Sequence, residues 1–211
     1  MASNLPLRQL WRRLQEYLRP PPIATAESLQ NFLQQRAALI AQKCAIDYCR
    51  GKTGLASYAL FTEKPFLDAL DICRWETFVA ALGDLLIVAE GHLRPHVTAA
   101  QRPRLREALA GLHAAILSSL PPPEHRADGW RESISSFKAR LEAAGLGEAR
   151  LARDIADYSA RRLFETLPIH SSMRELDEPV VHGAVRFRMV ALSQEMQRRI
   201  DAARVIGQLL G

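Results

Sequence analysis

Apolar residues recur every three or four positions along most of the chain, and this spacing predicts an all-α protein. The strict alternation of apolar and polar residues that is typical of half-buried strands is missing throughout, and so are the turn pairs of hairpins. We therefore expect a single multi-helix bundle of about seven helices.

The longest helical stretch, residues 66–93, has no internal proline and is apolar on two opposite sides. A helix with two apolar faces is typically buried between layers, so we expect a buried central helix near residues 65–93. One face consists mainly of small or medium side chains, Leu70, Cys73, Thr77, Ala80, Ala81, Asp84 and Val88. The other face carries Trp75, Val79, Leu82, Leu86 and Leu93.

Asp84 is the exception on the small face, because a buried carboxylate needs a partner. Its small neighbours predict either a close backbone or a cavity, and Gly83 indicates close packing. We expect Asp84 to be buried and paired with Arg36 or, second, with Lys43, both of which fall inside the apolar arc of the preceding helix together with Asp47. A structural ion pair is favoured over a ligand site formed by these four polar residues.

The N-terminal residues 5–19 form an amphipathic pattern, and the triple proline that follows separates them from the rest. We predict an arm with a proline-rich linker over residues 1–22 and an all-helical domain over residues 23–211. An apolar face opposite arginines is typical of a helix on an anionic membrane, although packing on its own domain or on a partner is favoured. The arm residues that would make these contacts are Leu7, Arg8, Trp11, Arg12, Leu14 and Leu18.

The helices on either side of the central one are predicted from their apolar stripes and from the capping and helix-ending residues beside them. Thr25 is expected to cap a helix over about 26–50, and a further helix is expected over about 148–166. The last helix has one stripe of Val181, Val185, Met189, Leu192, Met196, Ile200 and Ala203 and a second of Val180, Ala184, Phe187 and Ala191. We expect this helix to be buried on two sides in its first half.

The connection over residues 168–179 carries exposed polar groups between two long helices. His170, Ser171, Ser172 and Arg174 are candidates for a loop site there. A capping box of Ser172 with Glu175 favours a purely structural role for these residues.

Composition and charge narrow the class of protein. Hydrophobic content of 48% and charged content of 24% are ordinary for a globular protein, and no apolar run approaches the roughly 20 residues of a membrane span. The net charge is +5, of which the first 19 residues supply +3, so the rest lacks the basic face of a nucleic-acid binder. We expect a cytoplasmic protein, with peripheral contact at the inner face of a membrane as the alternative.

The sequence contains no motif of catalytic, metal-binding or nucleotide-binding specificity. Cys44, Cys49 and Cys73 lack paired spacing and are expected to be free thiols, and no metal or cofactor is predicted. Our leading hypothesis is a non-enzymatic interaction protein, an adaptor, regulator or assembly factor, whose arm engages a protein partner or a membrane; homo-oligomers are compatible with it. The alternative is a small-molecule-binding bundle or enzyme with a cavity beside Asp84.

Overall fold

The computed structural model describes residues 20–211, so the predicted arm over residues 5–19 lies outside the described part. This part is all-α, as predicted, and contains no β-strand; its single bridge joins Ile23 to Ile200. The helices are α1 (Ala26–Thr53), α2 (Ser57–Leu60), α3 (Lys64–Leu93), α4 (Arg102–Ser118), α5 (Arg131–Gly145), α6 (Ala152–Ile155), α7 (Asp157–Thr166), α8 (Ser171–Arg174), α9 (Glu178–Arg199) and α10 (Ala202–Leu210). Short 3-10 turns cover Gly54–Ala56, Arg94–His96 and Ala99–Gln101.

Helix α3 is the buried central helix that the two apolar faces predict. Every residue from 80 to 90 is buried, because α1 and α7 cover it on two sides and α4, α5 and α9 complete the layer around it. Pro65 lies in the first turn of α3, where its missing N–H leaves no intrahelical bond unmade. The polar groups of α3 within residues 80–90, Asp84 and Glu90, are therefore held in the interior of the bundle.

Helix α1 begins at the predicted cap. The Thr25 hydroxyl accepts a hydrogen bond from the Ser28 N–H at 2.9 Å, and the Ser28 hydroxyl accepts one from the Thr25 N–H at 2.9 Å. The helix continues past the predicted end near residue 50 and stops at Thr53 before Gly54, whose φ of 53° lies in the left-handed region.

Helix α9 confirms one predicted stripe and corrects the other. Val181, Val185, Met189, Leu192 and Met196 are buried as expected. The second stripe of Val180, Ala184, Phe187 and Ala191 is exposed, because the neighbouring helices α1, α3, α6 and α7 pack on the opposite arc. The predicted stripe also extends too far, since Ile200 is extended and ends the helix, and Ala203 is exposed in α10.

The single helix predicted over about 148–166 is two helices, α6 and α7, that meet at Ala156. This break sets the direction in which α7 approaches the small face of α3. As a result, backbone from the first turn of α7 comes within hydrogen-bond distance of Asp84.

The state of the cysteines and the apolar length of the helices can be compared with their predictions. Cys44, Cys49 and Cys73 are all buried and none is in a disulfide, as expected. None of the helices within residues 20–211 is both long and apolar enough to cross a membrane.

Candidate functional site

Asp84 is completely buried and paired, as the small face of α3 predicts, but its partner is not the expected one. The Arg140 guanidinium of α5 donates to its Oδ1, and the Ser159 N–H of α7 donates to Oδ2 at 3.0 Å. Complete burial raises the pKa of Asp84, and the Arg140 charge and the Ser159 N–H oppose that rise. A close backbone is thus present beside this carboxylate, whereas the nearby cavity is lined by its partner Arg140 and not by Asp84 itself.

The polar residues of α1 that were expected near Asp84 lie elsewhere. Arg36 donates to Glu195 of α9 at 2.5 Å, and Asp47 accepts from Arg188 of α9 at 3.1 Å. Lys43 is exposed, without a hydrogen bond or ion pair within the described residues. The expected pairing of Asp84 with Arg36 or Lys43 is wrong, because these residues follow the edge of α1 that faces α9.

Glu76, two turns before Asp84 on α3, is a second buried carboxylate that sequence analysis did not single out. Arg126 donates from Nε and Nη2 to its two oxygens at 2.7 Å each, and Arg162 donates from Nε and Nη2 at 3.0 and 2.5 Å. His125 Nε2 lies 2.9 Å from Oε1. Burial acts to raise the pKa of Glu76, but the hydrogen bonds from these three side chains outweigh it and lower the pKa to about 2.

A cavity of about 290 Å³ lies between α3, α4, α5 and α7, and it is lined by Glu76 and by Arg140, the partner of Asp84. Gly83 brings its walls together, since a Cβ there would lie 3.1 Å from Phe137 Cδ2 and 3.2 Å from Arg140 Nη1. This close approach confirms the packing role inferred for Gly83. The lining residues are Glu76, Val79, Ala80, Gly83, His113, Arg126, Glu132, Ser133, Ser136, Phe137, Arg140, Tyr158, Arg161, Arg162 and Glu165.

His113 of α4 lines this cavity with its hydrogen-bonding capacity unused. Its side chain is buried and stacks on Phe137, with ring centroids 4.1 Å apart. Neither Nδ1 nor Nε2 has a hydrogen-bond partner among the described residues. Burial, assisted by the Arg140 charge, lowers the pKa of His113 to about 4, so the ring is neutral at pH 7 and offers one N–H donor and one acceptor.

Two arginines at the cavity also have guanidinium nitrogens without acceptors. Arg140 stacks on Tyr158, its Cζ 3.5 Å from the ring centroid, and within residues 20–211 only its Nη2 donates a hydrogen bond. Arg161 of α7 has no hydrogen bond or ion pair from its side chain to any of these residues. A second cavity of about 360 Å³ shares Arg140, Tyr158 and Arg161, so these three side chains line two neighbouring cavities.

The candidate residues in the connection over residues 168–179 have local structural roles. His170, and not Ser172, caps α8, since its Nδ1 accepts from the Ser172 N–H at 3.3 Å, so the predicted capping box of Ser172 with Glu175 is wrong. Arg174 donates to the carbonyls of Ile169 and Phe164 and so closes the end of α7. Ser171 is exposed at the start of α8, and none of these residues lines a cavity described here.

Within residues 20–211, no group of three or more histidine, cysteine, aspartate and glutamate side chains could hold a metal ion. Comparison of the chain with protein-family models, with curated proteins and with solved structures finds no match.

Proposed function

We propose that the chain is a ligand-binding helical bundle that holds a small organic molecule in the cavity between α3, α4, α5 and α7. The observation that carries this proposal is His113, a buried side chain on the cavity wall with both ring nitrogens unpartnered. A buried polar group without a partner costs about 1–3 kcal/mol, and a bound molecule that hydrogen-bonds to it would remove that cost.

The rest of the cavity supports the proposal because its polar groups are held in place before a ligand arrives. Glu76 fixes Arg126 and Arg162, and Asp84 fixes Arg140. Side chains that are already ordered lose little conformational freedom on binding. The volume of about 290 Å³ is near the lower end of the range for small-molecule sites, roughly 300–1,000 Å³.

The proposal is tested by protein-observed NMR with a general library of fragments. We expect the bound fragments to shift the amide signals of Gly83, His113 and Arg140. Ser136→Trp should block this binding by filling the mouth of the cavity, whereas the exposed neighbour Ser135, which does not line it, gives the matched control Ser135→Trp. Fragments that bind only elsewhere, or that bind Ser136→Trp as well as the wild type, contradict the proposal.

A second candidate function is self-association, which the exposed stripe on α9 favours. Phe187 is 77% exposed and is flanked on the same face by Ala184 and Ala191. In an antiparallel two-fold dimer, Phe187 of each copy would pack on these small residues of the other.

Sedimentation velocity of the full chain tests this dimer. We expect concentration-dependent association that Phe187→Glu abolishes and that Tyr58→Glu, at another highly exposed aromatic residue, leaves intact. A wild-type chain that stays monomeric at all concentrations excludes the dimer.

Engagement of a protein partner or a membrane surface through residues 1–22 is a further candidate, supported by the amphipathic pattern of residues 5–19. Deletion of residues 1–22 should leave a cooperatively folded domain and weaken binding to vesicles of anionic phospholipid. If the truncated chain no longer unfolds cooperatively, the segment belongs to the folded core and this candidate loses its support.

A further inference from the structure

The chemical class of the ligand follows from the hydrogen-bonding groups that face the cavity, provided that the proposed ligand-binding function holds. Among the described residues, Nε and Nη1 of Arg140 and all three guanidinium nitrogens of Arg161, which is exposed at the rim of the cavity, have no acceptor. The neutral ring of His113 adds one more unused N–H. The cavity and its rim therefore have an excess of unused donors, most of them on cationic groups.

The buried carboxylates at the cavity do not use up this excess. Glu76 already accepts hydrogen bonds from Arg126 and Arg162, and Asp84 accepts from Arg140 and the Ser159 N–H. A cationic ligand would thus have to compete with guanidinium groups for the buried acceptors.

The remaining carboxylates among the lining residues are Glu132 and Glu165, both of which are exposed. Glu165 lies 3.5 Å from Arg162 Nη1. Charges at an exposed rim are screened by water and salt, so these carboxylates act on a ligand less than groups that contact it directly.

The cavity also has a wall that fits the carbon part of a ligand. Val79, Ala80 and Gly83 of α3 present apolar or small groups, and the ring of Phe137 lies against them. Arg140 is anchored at the edge of this wall by Asp84 on one side and by the Tyr158 ring on the other. An organic molecule could thus place its apolar part on α3 and its polar group at α7.

We infer that the ligand is a small organic anion, whose carboxylate or phosphate group accepts hydrogen bonds from Arg140 and Arg161 while its apolar part packs against α3 and Phe137. Asp84 acts as a positioning residue, because it holds the Arg140 guanidinium at the cavity wall. Arg161, exposed at the rim, adds a guanidinium group that has no ion-pair partner within residues 20–211.

The test uses four probes of one size that differ in charge: benzoate, phenyl phosphate, neutral benzamide and cationic benzamidinium. Binding to the full chain is followed by the amide signals of Gly83 and His113, which also report the location. We expect benzoate or phenyl phosphate to bind at least about tenfold more tightly than the neutral and cationic probes, because one charge-assisted hydrogen bond has about this effect. The difference between the two anions separates the carboxylate class from the phosphate class.

Arg161→Gln should weaken binding of the preferred anion at least about tenfold and leave benzamide binding within about twofold. Arg204→Gln is the matched control, since Arg204 is an exposed arginine on α10 that lines none of the four cavities. An unchanged affinity of Arg161→Gln for the anion overturns the inference.

Two further outcomes separate this inference from the proposed function. If benzamide or benzamidinium binds as tightly as the anions, or if library fragments fill the cavity while neither anion binds, the anion class is wrong and the ligand-binding function stands. If neither the probes nor the library fragments bind in the cavity, both are wrong.

Discussion

The middle of α3 and its C-terminal end both bury a carboxylate against an arginine, but the two pairs differ in how completely the arginine is used. Arg94 donates from Nε and Nη2 to Glu90, one helical turn before it, and from Nη1 and Nη2 to the carbonyls of Gly147 and Ala144. In the middle of the helix, Arg140 donates only one hydrogen bond within the described residues, to Asp84.

This difference separates a purely structural ion pair from the pair at the proposed ligand site. The pair of Glu90 and Arg94 ties the end of α3 to the connection between α5 and α6, and it lines none of the described cavities. The pair of Asp84 and Arg140 joins α3 to α5, and Arg140 lines a cavity. Burial of an ion pair alone is thus no sign of function, whereas unused donors facing a cavity are.

Breaking the pair of Glu90 and Arg94 should have the largest effect on stability. Arg94→Met leaves the Glu90 carboxylate buried without its partner, so we expect the free energy of unfolding to fall by about 3–5 kcal/mol. Chemical denaturation measures this loss, and Lys64→Met, which breaks an exposed pair with Asp68, should leave stability nearly unchanged. Equal effects of the two substitutions would show that burial does not distinguish these pairs.

Acid should destabilise the fold around His113 of α4 at a higher pH than the protonation of a paired carboxylate requires. The folded pKa of His113, about 4, lies below its ordinary value of 6.5, so its unfolded form binds a proton first and stability falls from pH 6.5 to 4. The loss is about 3 kcal/mol. Stability measured against pH should be flatter over this window in His113→Phe; burial also lowers the pKa of His92, so some slope remains.

At lower pH the Glu76 network adds a second loss. Its pKa is held below the ordinary value of 4.5, at about 2, so the stability that it contributes is complete above 4.5 and is lost as the pH falls towards 2. For His113, the contradicting outcome is a wild-type stability that does not change from pH 6.5 to 4, because a neutral, buried ring requires a loss of stability in that range.

Asp84→Asn should lower the free energy of unfolding by roughly 1–4 kcal/mol, because it removes the charge that Arg140 neutralises and keeps the shape. Binding of the preferred anionic probe should weaken as well, since Arg140 loses the group that positions it. Denaturation and probe titration on the same variant compare the two effects. An unchanged stability would mean that water reaches this carboxylate.

Gly83→Ala should have the smallest effect on stability and still disturb the cavity. The helix propensity gained, about 1 kcal/mol, offsets the repulsion between the new Cβ and the side chains of Phe137 and Arg140, so we expect a net change within about 1 kcal/mol. Probe binding should weaken because both side chains shift. Gly111→Ala, on α4 with open space around its Cβ, is the control and should stabilise the chain by about 0.5–1 kcal/mol without altering binding.

The spacing of apolar residues predicts those features of the fold that depend on a single helix. The two apolar faces of α3 identify the central helix, and the small residues around Asp84 correctly indicate a buried carboxylate. The same pattern could have identified Glu76, a charged residue inside the two-sided apolar stretch. His113 likewise falls on the inner line of α4 with Leu105, Leu109 and Ile116.

What the pattern could not predict depends on which helices meet. Arg36 and Arg140 are equally compatible with Asp84 in sequence, and only the packing of α5 against α3 chooses between them. The second apolar stripe of α9 is exposed although its spacing predicts burial. Periodicity does not show whether another helix covers an apolar face. The cavity is a property of the gap between four helices and has no local signature.

The pairing of Ile23 with Ile200 has a consequence for the order of folding. The Ile23 N–H donates to the Arg199 carbonyl and the Asp201 N–H to the Ile23 carbonyl, each at 2.8 Å, and these contacts close a loop that contains nearly every described residue. The entropy lost on closing so long a loop exceeds what two backbone hydrogen bonds return, unless the helices between have already docked. This seam should therefore form last when the chain folds, and its amides should exchange with solvent sooner than those in the middle of α3.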